Sequence, residues 1–169
     1  MFKHLLLALG LLATSPALAQ TTSPVPTSYT LKAPADYDQY RSQVIETVAW
    51  LANPSTPFGT SDRAAAGRFL VEWISGSPSV SVGVEPYVLE LTGKDPDLLA
   101  AFLGGWASYS LQHPNEKDPV TLNTEATKTV LAVYANKGGK GSKTAAELTK
   151  LNEQGKLPDW IKARLGNKK

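Results

Sequence analysis

Apolar positions recur along this chain at helical spacing, and few other patterns compete with them. Tyr37, Tyr40, Val44, Val48 and Leu51 return every three to four residues, which predicts a first helix from about Pro34 or Asp36 to Ala52. Asn53-Pro54 ends it, because the residue before a proline is pushed out of the helical region. Ala66, Phe69, Leu70, Trp73 and Ile74 form the stripe of a second helix, from Ser61 or Asp62 to Ser75. This is the most apolar helix near the middle of the sequence, so it is expected to be the wall on which the others close. Gly76 is expected to stop it in the left-handed conformation, and Pro78 bars continuation.

Beyond that stop, Ser79 to Val84 alternate polar and apolar residues, the one strand-like signal in the chain. With no second strand to pair with, the segment reads as an extended connector with Val80, Val82 and Val84 facing the core. A short helix is expected over Glu85 to Leu91, before Gly93. Asp95-Pro96-Asp97 supplies a cap, a first-turn proline and a first-turn acid for a fourth helix reaching Leu111 or Gln112. Its interior holds Gly104 and Gly105, at a cost of about 2 kcal/mol relative to alanine. That cost predicts a close neighbour, and Trp73 is the expected one. Further helices are expected over Leu122 to Asn136 and Lys143 to Gln154, with a last short one opened by Pro158. Lys137 to Lys143 reads as a flexible basic turn. No internal repeat is found. The fold class is therefore all-α, a compact bundle of five to seven short helices.

The ends read differently. Lys3, the apolar run Leu5 to Ala13 and the small-x-small triplet Ala17-Leu18-Ala19 make residues 1–19 a signal peptide, cleaved between Ala19 and Gln20. No cysteine follows Ala19 to accept a lipid anchor. Residues 20–33, rich in Thr, Ser and Pro, are expected to be a disordered leader, residues 34–166 a single helical domain and residues 167–169 a loose tail. A periplasmic or secreted location follows, with no transmembrane segment after cleavage.

The chain has no cysteine, which excludes thiol chemistry, disulfides and cysteine-based metal sites. His113 is the only histidine after residue 19, and neither HExxH nor a calcium loop occurs, so no metal and no cofactor is expected. Asp36 with Asp38, and Asp95 with Asp97, could share a cation, but acids at helix starts serve the helix dipole first. Ser75, Ser77 and Ser79 lack a nucleophile elbow, and Lys137 to Lys143 lack the order of a phosphate-binding loop. Charge is unevenly spread: residues 20–119 carry 6 Lys/Arg against 11 Asp/Glu, and residues 120–169 carry 10 against 4. The basic third is expected to complement the acidic part of the same domain. Its lysines are scattered singly, so nucleic acid is not an expected partner.

Glu72, between Val71 and Trp73, is the one candidate general acid, since a half-buried carboxyl beside a ring can hold its proton. The structural alternative is an ion pair with Arg68, one turn earlier. Trp73, Trp106 and Tyr109 are candidates for a ligand or partner surface. Trp50, Trp73 and Trp106 also lie on core stripes.

The order of features, Trp73-Ile74-Ser75-Gly76-Ser77-Pro78, a valine-rich connector, Gly104-Gly105-Trp106 with Tyr109-Ser110-Leu111, then Val133-Tyr134, resembles uncharacterised small exported all-helical proteins of bacterial envelopes. The resemblance implies the fold class and export, and brings no catalytic residue. The expected function is a non-catalytic binding or interaction module in the cell envelope, its partner an envelope or extracellular protein or ligand. The alternatives are an envelope hydrolase using Glu72 and a structural or stress-related small protein.

Overall fold

The structure, a computed structural model, describes residues 22–166. The expected signal peptide, its expected cleavage point and the expected tail at 167–169 lie outside the described residues. Eight helices follow in order: α1 (Pro34–Gln39), α2 (Arg41–Ala52), α3 (Ser61–Gly76), α4 (Pro86–Thr92), α5 (Pro96–Gln112), α6 (Pro119–Asn136), α7 (Lys143–Glu153) and α8 (Leu157–Gly166). Among the described residues every regular element is helical. No helix there is long and apolar enough to cross a membrane. The count exceeds the expected five to seven because the first predicted helix breaks at Tyr40, whose φ of −102° and ψ of 9° leave the helical region. At the break the Tyr40 ring meets Tyr29 and Phe69 edge-on, 6.2 and 6.3 Å away.

The centre of the bundle is α5, a correction to the expectation that α3 would organise it. α5 packs against α2, α3, α4 and α6. It is apolar nearly all round, with Leu98, Ala101, Phe102, Trp106, Ala107 and Leu111 all buried, as befits a helix enclosed by others. Its two glycines face opposite neighbours. A Cβ at Gly104 would lie 2.8 Å from a Val48 methyl and 3.0 Å from a Leu70 methyl. One at Gly105 would lie 2.7 Å from the Thr129 Cβ and 3.2 Å from the Ala126 backbone. The glycines thus admit α2 and α3 on one side and α6 on the other. The close neighbour was correctly expected; Trp73 is not that neighbour.

Local signals set the helix ends. Asp95 Oδ1 accepts from the amides of Asp97 and Leu98, and Asp118 oxygens accept from Val120 and Thr121. Pro96 and Pro119 follow these caps. α6 therefore starts three residues before the expected Leu122, on the same Asp-Pro signal that opens α5. Gly93 (φ 57°) and Gly155 (φ 70°) stand past the ends of α4 and α7 in the left-handed region that glycine tolerates. Gly76 does something else: α3 runs through it, and a side chain there would overlap the Tyr37 ring and hydroxyl.

Two further expectations are corrected. The leader is not a free spacer over its described part: Val25, Tyr29 and Leu31 pack on the core, and Tyr29 meets Phe69 edge-on at 5.0 Å. Tyr29 also meets the Tyr40 ring, and the Leu31 carbonyl accepts from the Tyr37 hydroxyl, so the segment is held by both ring and hydrogen-bond contacts. In the connector, Val80 is buried and Val82 packs against the core as expected, but Val84 is 49 % exposed.

Tyr87 on α4 is buried and donates its hydroxyl to Asn123 Oδ1 at 2.7 Å. Burial pushes its pKa up to about 12. Tyr29 is also raised to about 12, by burial and by the Glu72 carboxylate that its hydroxyl meets. The unfolded chain would release both protons near pH 10 while the folded chain keeps them, so the linked stability is present below pH 10 and is lost as pH rises towards 12. Spectrophotometric titration should show two late-ionising tyrosines, and Tyr87→Phe should remove one. Ionisation of all tyrosines near pH 10 in the folded protein would contradict this.

Candidate binding cleft

α3 lines a cleft with two adjacent rows of side chains. Arg63, Gly67 and Val71 form the inner row; Ala64, Arg68 and Glu72, each one residue later, form the outer row. Opposite them stand Pro96, Asp97, Leu99 and Ala100 from the first two turns of α5, with Leu51 from the end of α2. Together they line a largely apolar cleft of about 630 Å³. Gly67 opens its floor: a Cβ there would make an ordinary contact with the Ala100 Cβ at 3.7 Å, and a longer side chain would extend into the cleft.

The inner end of the cleft is polar. Arg63 is 2 % exposed. Its Nε donates to Asp97 Oδ1 at 3.0 Å and its Nη2 to the Leu51 carbonyl at 3.0 Å. Its Nη1 is buried and has no acceptor among the described residues. The guanidinium lies 3.9 Å over the Phe58 ring. Asp97 Oδ2 also meets Lys137 Nζ at 3.1 Å, and Asp95 Oδ2 meets the same ammonium at 2.6 Å. Burial draws the Arg63 pKa below its ordinary value, with Asp97 opposing; a guanidinium stays charged regardless. For Lys137 burial acts downward too, but the two aspartates outweigh it and the pKa is raised. The cation that Asp95 and Asp97 share is thus supplied by the chain itself. Lys137, expected in a free basic turn, joins the basic third to the acidic part, as does Arg164, 3.8 Å from Glu90.

Glu72 lies at the outer end and is exposed. Its Oε2 accepts from the Tyr29 hydroxyl at 2.6 Å, and it forms no ion pair with Arg68. The half-buried carboxyl that a general acid needs is not what this side chain provides. The three aromatic candidates do not share a surface. Trp73 is 0 % exposed and donates Nε1–H to the Tyr37 carbonyl at 3.0 Å, so it presents nothing to a partner. Trp106 is 6 % exposed and borders a second groove, beside the serine-rich turn of Ser77 and Ser79. Tyr109 is half-buried and stacks on His113 at 4.1 Å. Among the described residues no three of His, Asp and Glu come together as a metal site.

Arg63 and Lys137 are the residues that sequence reasoning missed. For Arg63 a signal existed: it stands three residues before Ala66 and seven before Leu70, on the buried stripe of α3. A cation in that place needs an acceptor from another element. Lys137 carries no local signal, since its partners lie about forty residues away. No family model, no curated protein and no solved structure matches this chain.

Proposed function

We propose that the chain is an exported, non-catalytic binding module of the cell envelope, periplasmic or secreted, whose ligand occupies the α3–α5 cleft. The observation that carries this reading is the cleft itself: about 630 Å³, mostly apolar, with a few polar groups at its ends. Those are the proportions of small-molecule sites in general. Export rests on Lys3, the Leu5 to Ala13 run and Ala17-Leu18-Ala19. Against the hydrolase alternative, Glu72 is exposed and engaged by Tyr29, and the other carboxylate on the cleft, Asp97, is held by Arg63 and Lys137. The structural or stress-related alternative requires no occupant of the cleft.

Native mass spectrometry of protein recovered from an exporting bacterial host tests both parts. The chain should begin at Gln20 and carry a non-covalent small molecule, which Gly67→Met should exclude by filling the floor. A full-length cytoplasmic product would overturn export. A chain with no bound molecule, from the host or from an added metabolite extract, would overturn the binding reading. Glu72→Gln should leave binding intact and change stability by less than about 1 kcal/mol. A cell-wall-degrading activity abolished by that substitution would promote the hydrolase.

A further inference from the structure

We propose that residues 22–39, the leader together with α1, form a strap that leaves α3 as a unit while α2–α8 stay folded. Tyr40 is its hinge, and the Tyr29 hydroxyl on Glu72 is its latch. This device goes beyond the binding reading and operates whether or not the α3–α5 cleft is occupied.

Burial sets the strap apart from the body. No residue from Thr22 to Tyr40 is buried, whereas α2 buries Val44, Thr47, Val48, Trp50 and Leu51. Val25, Tyr29, Leu31 and Tyr37 pack on the core while only partly covered. Segments with few buried apolar contacts open at a fraction of the cost of global unfolding. The leader is tied to α1 rather than to the body: the Lys32 and Ala33 amides donate to Asp36, and the Leu31 carbonyl accepts from the Tyr37 hydroxyl. Leader and α1 therefore move together.

The strap grips α3 at two points. Among the described residues two hydrogen bonds join them, Tyr29 hydroxyl to Glu72 Oε2 at 2.6 Å and Trp73 Nε1 to the Tyr37 carbonyl at 3.0 Å. A ring contact accompanies each, Tyr29 on Phe69 and Tyr37 on Trp73. Both points border an open cleft of about 630 Å³, with Tyr29, Leu31 and Lys32 on the strap side and Val71, Glu72 and Ser75 on the α3 side. Segments seated in a core leave few voids larger than a water molecule, so this one is only partly closed on its helix. The hinge is already present. Tyr40 is non-helical between two helices, and residues at the ends of elements absorb the backbone change that a swing requires.

Release changes what α3 presents. The exposed Val71 lines this cleft, the α3–α5 cleft and the groove beside the serine-rich turn, and Glu72 lines the first two. Lifting Tyr29 from Glu72 joins these spaces along the outer face of the helix. It also bares the edges of Phe69 and Trp73, both sealed in the closed state. Exposing two rings keeps the open state a minor one, which a molecule that binds the longer groove would draw on.

Hydrogen exchange of the isotope-labelled exported chain, followed by nuclear magnetic resonance in increasing urea, tests the strap. The reporter is the Trp73 indole N–H, which is buried and donates to a strap carbonyl. It should exchange at least about tenfold faster than the core amides of α5, with a much weaker dependence on urea, because releasing the strap exposes far less surface than unfolding the domain. Tyr29→Phe keeps the ring on Phe69 and loses the latch. It should speed exchange at Trp73 by about fivefold, as expected for a partly exposed hydrogen bond to a carboxylate. Exchange at Trp73 with the rate and urea dependence of α5 would mean that the strap leaves only when the domain unfolds, which overturns the proposal. Fast, urea-insensitive exchange that Tyr29→Phe leaves unchanged would mean that the indole opens without the strap, which overturns it too. Neither result bears on occupancy of the α3–α5 cleft, which the mass spectrum reads separately.

Discussion

Trp73→Ala is expected to cost about 3–5 kcal/mol, the range for truncating a fully buried tryptophan. Total stability for a domain of this size is about 5–15 kcal/mol, so the variant should be largely unfolded or melt far below the parent. The loss is more than a cavity. Trp73 Nε1 holds the Tyr37 carbonyl, and the Tyr37 hydroxyl in turn donates to the Leu31 carbonyl at 3.2 Å. One ring thereby fastens α1 to α3 and, through Tyr37, fastens the leader to α1. The Tyr37 ring fits only because position 76 has no side chain. Trp73→Phe keeps much of the apolar area and loses the hydrogen bond, so its cost should be clearly smaller. Urea denaturation followed by circular dichroism measures both. A Trp73→Ala midpoint near the parent's would mean that the ring is not in the core.

Gly105→Leu should do comparable damage for the opposite reason. Overpacking a filled core typically costs about 1–3 kcal/mol and sometimes more. The obstacle to a side chain at Gly105 includes the Ala126 backbone at 3.2 Å, which cannot rotate away. α6 would have to move bodily from α5, and α6 also carries the contacts to α2, α7 and α8. The sharper comparison is between alanines. On helix propensity alone, Gly104→Ala and Gly105→Ala should each stabilise by about 1 kcal/mol. At Gly104 the crowding atoms are methyl groups of Val48 and Leu70, which can adjust. At Gly105 they are the Thr129 Cβ and the α6 backbone. Gly105→Ala should therefore be the more destabilising of the two, and Thr129→Gly should recover part of its loss despite lowering the helix propensity of α6. Thermal melts of the three variants measure this. Equal effects at the two glycines would show that α6 is not seated as tightly as described.

Most helices were legible because their signals are local. Asp95-Pro96 capped by its own side chain, Gly93 and Gly155 at helix ends, and the 3.6-residue stripe of α3 each act over a few residues of chain. The break at Tyr40 was not legible. Its sequence neighbourhood continues the helical period, and the ring finds Tyr29 and Phe69 only after the chain has folded. Glu72 illustrates the same limit: i,i+4 spacing offered Arg68, and a leader residue 43 positions away took the carboxylate instead.

By itself, then, the sequence determined an all-helical, cysteine-free chain, the placing of most helices, the need for close approach at Gly104 and Gly105, and the residue types that bar thiol chemistry. Each of these follows from composition or from interactions within about one turn. The tertiary structure decided that α5 and not α3 is the hub, that the leader packs, that Trp73 is sealed in, and that Arg63 gathers Asp97, Leu51 and Phe58 at the end of a cleft. These depend on which surfaces meet. Apolar attraction has little directionality, so a hydrophobic stripe shows that a helix must be covered without showing by what.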